Sequence, residues 1–212
     1  MMVAQILNLM GSLSFGDQNV TETETSLFLQ YLNLAHLELY GETATFNQDL
    51  YIQENLQKPE NARLVDLSKT PCVMGVVYVP SLKIKLRKVS FQESIEHDPD
   101  GSHKGDLKRY CLQKNHLILL PYQSAPLSLV VWYIPDATLF METTPEEEIP
   151  YPVSYHTLLA DGALYYLFQD QSGFKNPQKM TEAKRRWVLG KQRLLSYLKG
   201  SNSIALSTFR NL

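Results

Sequence analysis

Residues 150–169 read Pro-Tyr-Pro-Val-Ser-Tyr-His-Thr-Leu-Leu-Ala-Asp-Gly-Ala-Leu-Tyr-Tyr-Leu-Phe-Gln. Pro150 and Pro152 bracket the entry to a helix. Behind them Tyr155, Leu158, Leu159, Gly162, Ala163 and Tyr166 recur at i, i+3, i+4, i+7, i+8 and i+11, which is one helical face. Its middle is Gly162-Ala163, small enough to admit a second helix backbone. A mid-helix glycine costs about 1 kcal/mol against alanine, and close packing is the compensation expected. The chemistry of this stretch is that of packing, not of reaction.

The partner helix follows directly. Asn176 is placed to cap it and Pro177 to occupy its first position. Met180, Ala183, Trp187, Gly190, Leu194 and Leu198 form its stripe, and Gly200 is expected to end it. A short turn separates the two helices, so they are expected to lie antiparallel, packing through Leu158, Gly162, Ala163, Trp187 and Gly190, with the two glycines opposed.

Upstream, Val3–Met10 predicts a short apolar helix ended by Gly11. Thr21-Glu22-Thr23-Glu24 fits a capping box. The helix behind it carries Phe28, Tyr31, Leu32, Ala35 and Leu39 on one stripe, and Gly41 is expected to stop it. A helical turn or two is expected near Leu50–Leu56. The hydrophobic period then changes from 3.6 to 2. Residues 63–67 alternate, and Cys72–Val79 is a β-branched run broken by Gly75. Leu82, Ile84 and Leu86 alternate with Lys83, Lys85 and Arg87. A short helical turn and a loop are expected over residues 90–106. Tyr110–Gln113 and His116–Leu120 flank a Lys114-Asn115 turn, the pattern of a hairpin. Leu127–Ile134 is a last strand. The expected fold class is therefore α+β. Residues 1–60 and 150–199 form a helical bundle lobe, residues 61–149 a small inserted antiparallel β-rich lobe, and residues 200–212 an extended C-terminal partner-binding tail.

The 212-residue chain, 44% hydrophobic with a net charge of −2, suits one domain with a full core or two small lobes. It holds no apolar run of about 18 residues, so no membrane contact is expected, and its start lacks the features of a signal peptide. Cys72 and Cys111 are expected to be reduced and buried as small hydrophobes. The charge is unevenly spread. Residues 1–60 carry eight acidic side chains against Lys58 alone, and residues 175–199 carry eight basic ones against Glu182 alone. The two blocks are expected to meet, across subunits more than within one, through Glu22, Glu24 and Glu38 on one side and Lys184, Arg185 and Lys191 on the other. Salt is expected to weaken such an assembly.

Reactive chemistry is scarce. There is no glycine-rich phosphate loop, no paired-cysteine or His-Glu metal motif, and no nucleophile elbow, so neither catalytic nor metal-binding residues nor a cofactor are expected. His97 and His103, with Asp98, Asp100 and Asp106, have the residue types of a metal site but the composition of a solvated loop. His156, in the first turn of its helix, is read as a packing or hydrogen-bonding histidine. Lys184-Arg185-Arg186 beside Trp187 offers cations and an aromatic for nucleic acid. A DNA-binding protein using this basic C-terminal helix is the alternative reading, and an enzyme of unfamiliar type is a third.

The order of these signals resembles the head-to-tail adaptor (connector) proteins of tailed bacteriophages. Ile6-Leu7-Asn8 up to Gly11 resembles their first helix. Tyr31-Leu32-Asn33-Leu34-Ala35 resembles a "W-L-N-x-A" pattern in their second, with Tyr31 where tryptophan is common. Tyr110-Cys111-Leu112, Asn115–Pro121 and Leu129–Pro135 with Leu139 resemble their hairpin and the strand after it. Ile149-Pro150 through Tyr155–Ala163 is similar to their "P-x-x-x-H-x-x-L-v-x-G-A" helix. The match spans some 150 residues, with residues 42–60 and 97–106 departing from the pattern. The resemblance implies a non-enzymatic structural virion protein of the neck between capsid and tail, assembled in the host cytoplasm. It implies a homo-oligomeric ring, typically of twelve copies, beneath the portal protein. That ring would extend the DNA channel, touch packaged DNA non-specifically, and give a platform to tail, nozzle or stopper proteins. The portal-binding tail would be residues 200–212, with Ile204, Leu206, Phe209, Arg210 and Leu212.

Overall fold

The computed structural model describes residues 1–15, 21–98, 105–170 and 174–209, without the side chains of His97 and residues 201–209. The chain divides into two compact units, residues 1–49 with 137–212, and residues 50–136.

The first unit holds helices α1 (Val3–Phe15), α2 (Glu22–Thr43), α4 (His156–Gln169) and α5 (Pro177–Phe209). Thr21 starts α2 as a full capping box: its hydroxyl accepts from the Glu24 N–H, and the Glu24 carboxylate accepts from the Thr21 N–H. Asn176 starts α5 by accepting from the Lys179 N–H at 3.0 Å. The predicted single face of α4 understates its burial. Leu158, Leu159, Ala160, Gly162, Ala163, Leu164, Leu167 and Phe168 are all buried, because α1, α2 and α5 all pack on it. A helix apolar on most sides is a core helix.

Helices α4 and α5 run antiparallel. Asp161 meets Arg186, and the Tyr155 hydroxyl reaches the Arg193 carbonyl. The two glycines do not oppose each other as expected. A Cβ on Gly162 would lie 2.9 Å from both the Ala35 methyl and the Trp187 ring, while one on Gly190 would lie 2.2 Å from Leu158 Cδ1. Each glycine is a socket for a large side chain of the other helix. Gly162→Leu is expected to destabilise by about 1–3 kcal/mol, since a ring and a methyl cannot swing aside. Gly190→Ala is expected to be milder, because the tip of Leu158 can move. Thermal melts of the two variants check this ordering.

Helix α5 also corrects the expected tail. It passes through Gly200 to Phe209. Gly200 keeps out of the left-handed region, and a Cβ there would meet nothing within 4 Å. Residues 201–209 contain no proline, so the helix has no reason to stop at one exposed glycine. Helices α1 and α2 likewise run past Gly11 and Gly41.

The second unit overturns the small antiparallel insert. It is a seven-stranded mixed sheet in the order β1-β7-β3-β4-β5-β6-β2. The strands are β1 (Ile52–Lys58), β2 (Leu64–Asp66), β3 (Pro71–Val79), β4 (Ile84–Val89), β5 (Arg109–Gln113), β6 (His116–Leu120) and β7 (Leu127–Pro135). Strands β4 and β5 are parallel, which requires a crossover. Residues 90–108 provide it and include α3 (Phe91–His97). The stretch expected to be helical near Leu50–Leu56 is mostly β1. Its inward positions pair with Tyr133, Val131, Leu129 and Leu127, and they are Ile52, Glu54, Leu56 and Lys58. Two charges among four inward residues hide the period-2 signal.

The sheet curls until its edges nearly meet. Val65, Val77, Val79, Leu86, Tyr110, Leu117, Leu119, Leu129, Val131 and Tyr133 fill its interior. Val89, Cys111, Ile118 and Leu120 form a small cluster on the outer side, where α3 packs against β5. The seam between β1 and β2 is closed by side chains rather than by a ladder. Glu54 accepts from the Ser68 N–H at 3.0 Å and from the Tyr133 hydroxyl at 3.0 Å. Glu54→Ala takes an acceptor from the Ser68 N–H and from the hydroxyl of the buried Tyr133, which keeps the Lys69 N–H at 3.3 Å, and is expected to cost about 1–3 kcal/mol. Faster amide exchange at Ser68 would locate the loss at the seam.

Candidate functional site

The helical unit's polar chemistry converges on α5. Glu38 and Glu42 lie one turn apart on α2 and both bind Lys191 Nζ, Glu42 at 2.7 Å. The Tyr166 hydroxyl donates to the other oxygen of Glu38. Burial raises the Glu38 carboxyl, but hydrogen bonds from Lys191 and Tyr166 and the Lys191 charge outweigh it, so the net shift is downward. Burial lowers the Lys191 ammonium, and the two glutamates more than reverse that. Burial and the bond to Glu38 together push Tyr166 upward.

This network settles the fate of several predicted interface charges. Glu38 and Lys191 neutralise each other within one chain. Glu24 is engaged in its capping box, and Glu22 lies in the same first turn. Lys184 sits 5.7 Å over the Tyr165 ring. Of the six, Arg185 faces a groove between the start of α4 and the middle of α5. That groove, of about 340 Å³, is lined by Ser154, Tyr155, Thr157, Leu189, Arg185 and Arg193 over a floor of Leu158 and Gly190. Arg186 lies at its rim, held by Asp161 and Glu182 at 2.7 and 2.6 Å. Tyr155 stacks obliquely on the half-exposed Tyr197. Sequence reasoning missed this groove because two helices build it. Its signal was Arg185, Leu189 and Arg193 at four-residue spacing on one helix.

Leu158, Ala163 and Trp187 are buried in the core around the two glycine sockets. Ile204, Leu206 and Phe209 lie on the helical extension of α5, and Arg210 and Leu212 lie outside the described residues. His156 is buried, and its Nε2 lies 2.9 Å from the Tyr151 carbonyl oxygen. Cys111 is buried, but Cys72 is exposed, against expectation. Among the described residues no three His, Cys, Asp or Glu side chains converge on a metal position. Of the residues named for a metal-type loop, Asp100 and His103 lie outside the described residues, as does the side chain of His97. Asp98 before it is buried, with Arg63 at 3.8 Å. No helix among the described residues is long and apolar enough to cross a membrane.

No protein-family model matches the chain, and comparison with curated proteins finds no match.

Proposed function

We propose that this chain is the subunit of a head-to-tail adaptor ring of a tailed bacteriophage, a structural protein rather than an enzyme. The observation that carries the reading is the segment from Ile149 to Ala163. Pro152 and His156 stand at the helix entrance and Gly162-Ala163 at its middle, where the adaptor pattern has the same residue types. The groove beside Gly190 supports it. Two arginines there flank exposed apolar surface at Leu189 and Tyr197, a mixture suited to subunit contact. The proposed partners are further copies of the chain, the portal protein and the tail, nozzle or stopper proteins.

The end of α5 is the portal-docking element in this reading. Thirty-three residues make a helix of about 50 Å, whereas the fourteen of α4 cover about 21 Å. The last turns of α5 therefore outrun α4. Deleting residues 201–212 is expected to leave the melting temperature within a few degrees and to abolish docking to the portal. The decisive experiment mixes purified chain with the portal protein of the same virus and images the product. Rings of about twelve copies on the portal are expected. A chain that neither self-associates nor binds the portal removes the reading.

The alternative, DNA binding through the basic C-terminal helix, loses ground to the geometry of α5. Lys191 and Arg186 are ion-paired. Lys179 donates to the Leu13 and Ser14 carbonyls. Lys184 and Lys199 sit over the rings of Tyr165 and Phe46.

A further inference from the structure

We infer that the outer face of β4 and β5, with Lys85, Arg87 and Arg109 at its centre, is a sequence-independent contact for the phosphate backbone of DNA. The inference stands on the charge and register of this face and not on the adaptor reading. Inward positions of β4 carry the buried Leu86, so Lys85 and Arg87 stand on the opposite side of the strand. Arg87 is in register with Arg109 across the parallel pair, about 4.8 Å away along the hydrogen-bonding direction. Tyr78, half-buried, is in register with Lys85 on the other neighbour. Lys83, exposed, stands beside the group, and the exposed Lys88 follows Arg87 in sequence with its place on the other side of the strand. Residues 80–90 contain no acidic side chain.

Like charges held opposite one another in a sheet repel; Arg109 shares a cleft with Asp98 and Asp106, while Lys85 and Arg87 stand on the exposed part of the face. None of these five cations has an ion pair among the described residues. Among the neighbouring carboxylates, Glu93 accepts from the Ser90 N–H and Glu96 from Gln92, while Asp98 lies 3.8 Å from Arg63 and the exposed Asp106 3.9 Å from Lys108. This is the reverse of α5, whose cations are mostly consumed inside the chain. Lys85 and Arg87 are about 6.7 Å apart along the strand, near the rise of two phosphates on one DNA strand, about 3.4 Å each. A regular polyanion therefore matches the face better than a scatter of carboxylates does.

The test measures binding of the full chain to a mixed-sequence 30-bp duplex by fluorescence anisotropy between 50 and 200 mM NaCl. With three phosphates neutralised, affinity is expected to fall about 40-fold over that range. Lys85→Ala with Arg87→Ala is expected to weaken binding at 50 mM NaCl and leave only about a 3–4-fold salt dependence. Arg185→Ala with Arg193→Ala is expected to keep the parental slope. All three proteins are expected to melt alike, the β4 variant no lower than the parent. Absence of binding by the parent at 50 mM NaCl overturns the inference, as does an unchanged slope in the β4 variant or a lost slope in the α5 variant. A salt-sensitive self-association abolished by the β4 changes, without DNA binding, also overturns it and assigns the face to an acidic surface of a second copy.

Discussion

Trp187→Ala is expected to cost about 3–5 kcal/mol, a large fraction of the roughly 5–15 kcal/mol that stabilises a protein of this kind. The indole is 2% exposed and fills the socket that Gly162 leaves open on α4. Lys191, which carries the paired glutamates of α2, lies 5.1 Å from the ring centroid. Truncation opens a cavity where α2, α4 and α5 meet, and the neighbours that would have to collapse into it are helix backbones. It also removes the apolar wall beside a charge network that needs its low-dielectric setting. Urea unfolding followed by far-UV circular dichroism measures the loss. Trp187→Phe, which keeps an aromatic in the socket, is expected to cost distinctly less. A loss below about 1 kcal/mol for the alanine variant would show that α5 is not anchored through this residue.

Acid is expected to remove about 3 kcal/mol through His36 alone. Its ring is 1% exposed and stacks on Phe140 with centroids 4.2 Å apart. Nε2 faces the Thr138 carbonyl oxygen at 3.2 Å, so Nε2 carries the proton, and Nδ1 lies 3.1 Å from the Tyr151 hydroxyl. Burial lowers the pKa from 6.5 to about 4, only partly opposed by the bond to Thr138. The neutral ring is the folded form. Above pH 6.5 both folded and unfolded chains hold it neutral, and the full stability is present. Below 6.5 the unfolded chain takes up a proton that the folded chain refuses, so stability falls with pH until about 4, where the folded ring also charges. A difference of about 2.5 units at 1.36 kcal/mol each sets the size. His36→Gln is expected to be less stable at neutral pH and to lose much less between pH 6.5 and 4. An NMR titration placing the His36 pKa near 6.5 would sink the argument.

The adaptor and DNA-contact readings separate experimentally. In the proposed adaptor reading, ring formation on a portal would depend on the groove at Arg185 and Arg193 and on the end of α5. The proposed phosphate contact would depend on Lys85 and Arg87. Variants at one surface are expected to leave the other readout intact.

Local signals were legible wherever chemistry and period act over a few residues. Thr21 with Glu24 and Asn176 with Pro177 named two helix starts, because a cap needs only its own turn. The runs at Cys72–Val79 and Leu127–Ile134 announced strands, and Lys114-Asn115 announced a hairpin turn. Glycine was a poorer guide. Gly11, Gly41 and Gly200 each looked like a helix end, yet the helices continue, since a glycine stops a helix only where the chain must turn left-handed and here it need not. Three decisions belonged to the tertiary structure. Strand β1 was hidden because Glu54 and Lys58 face inward, tolerated by the Ser68 and Tyr133 donors on one and the Pro59 carbonyl on the other. The parallel pairing of β4 with β5, and with it the near closure of the sheet, depends on a crossover whose direction no residue pattern encodes. The opposed charge blocks were plain in the sequence, but which charges meet was not: α2 and α5 are brought together by apolar packing around Trp187, and that packing alone places Glu38 and Glu42 against Lys191 while leaving Arg185 to solvent.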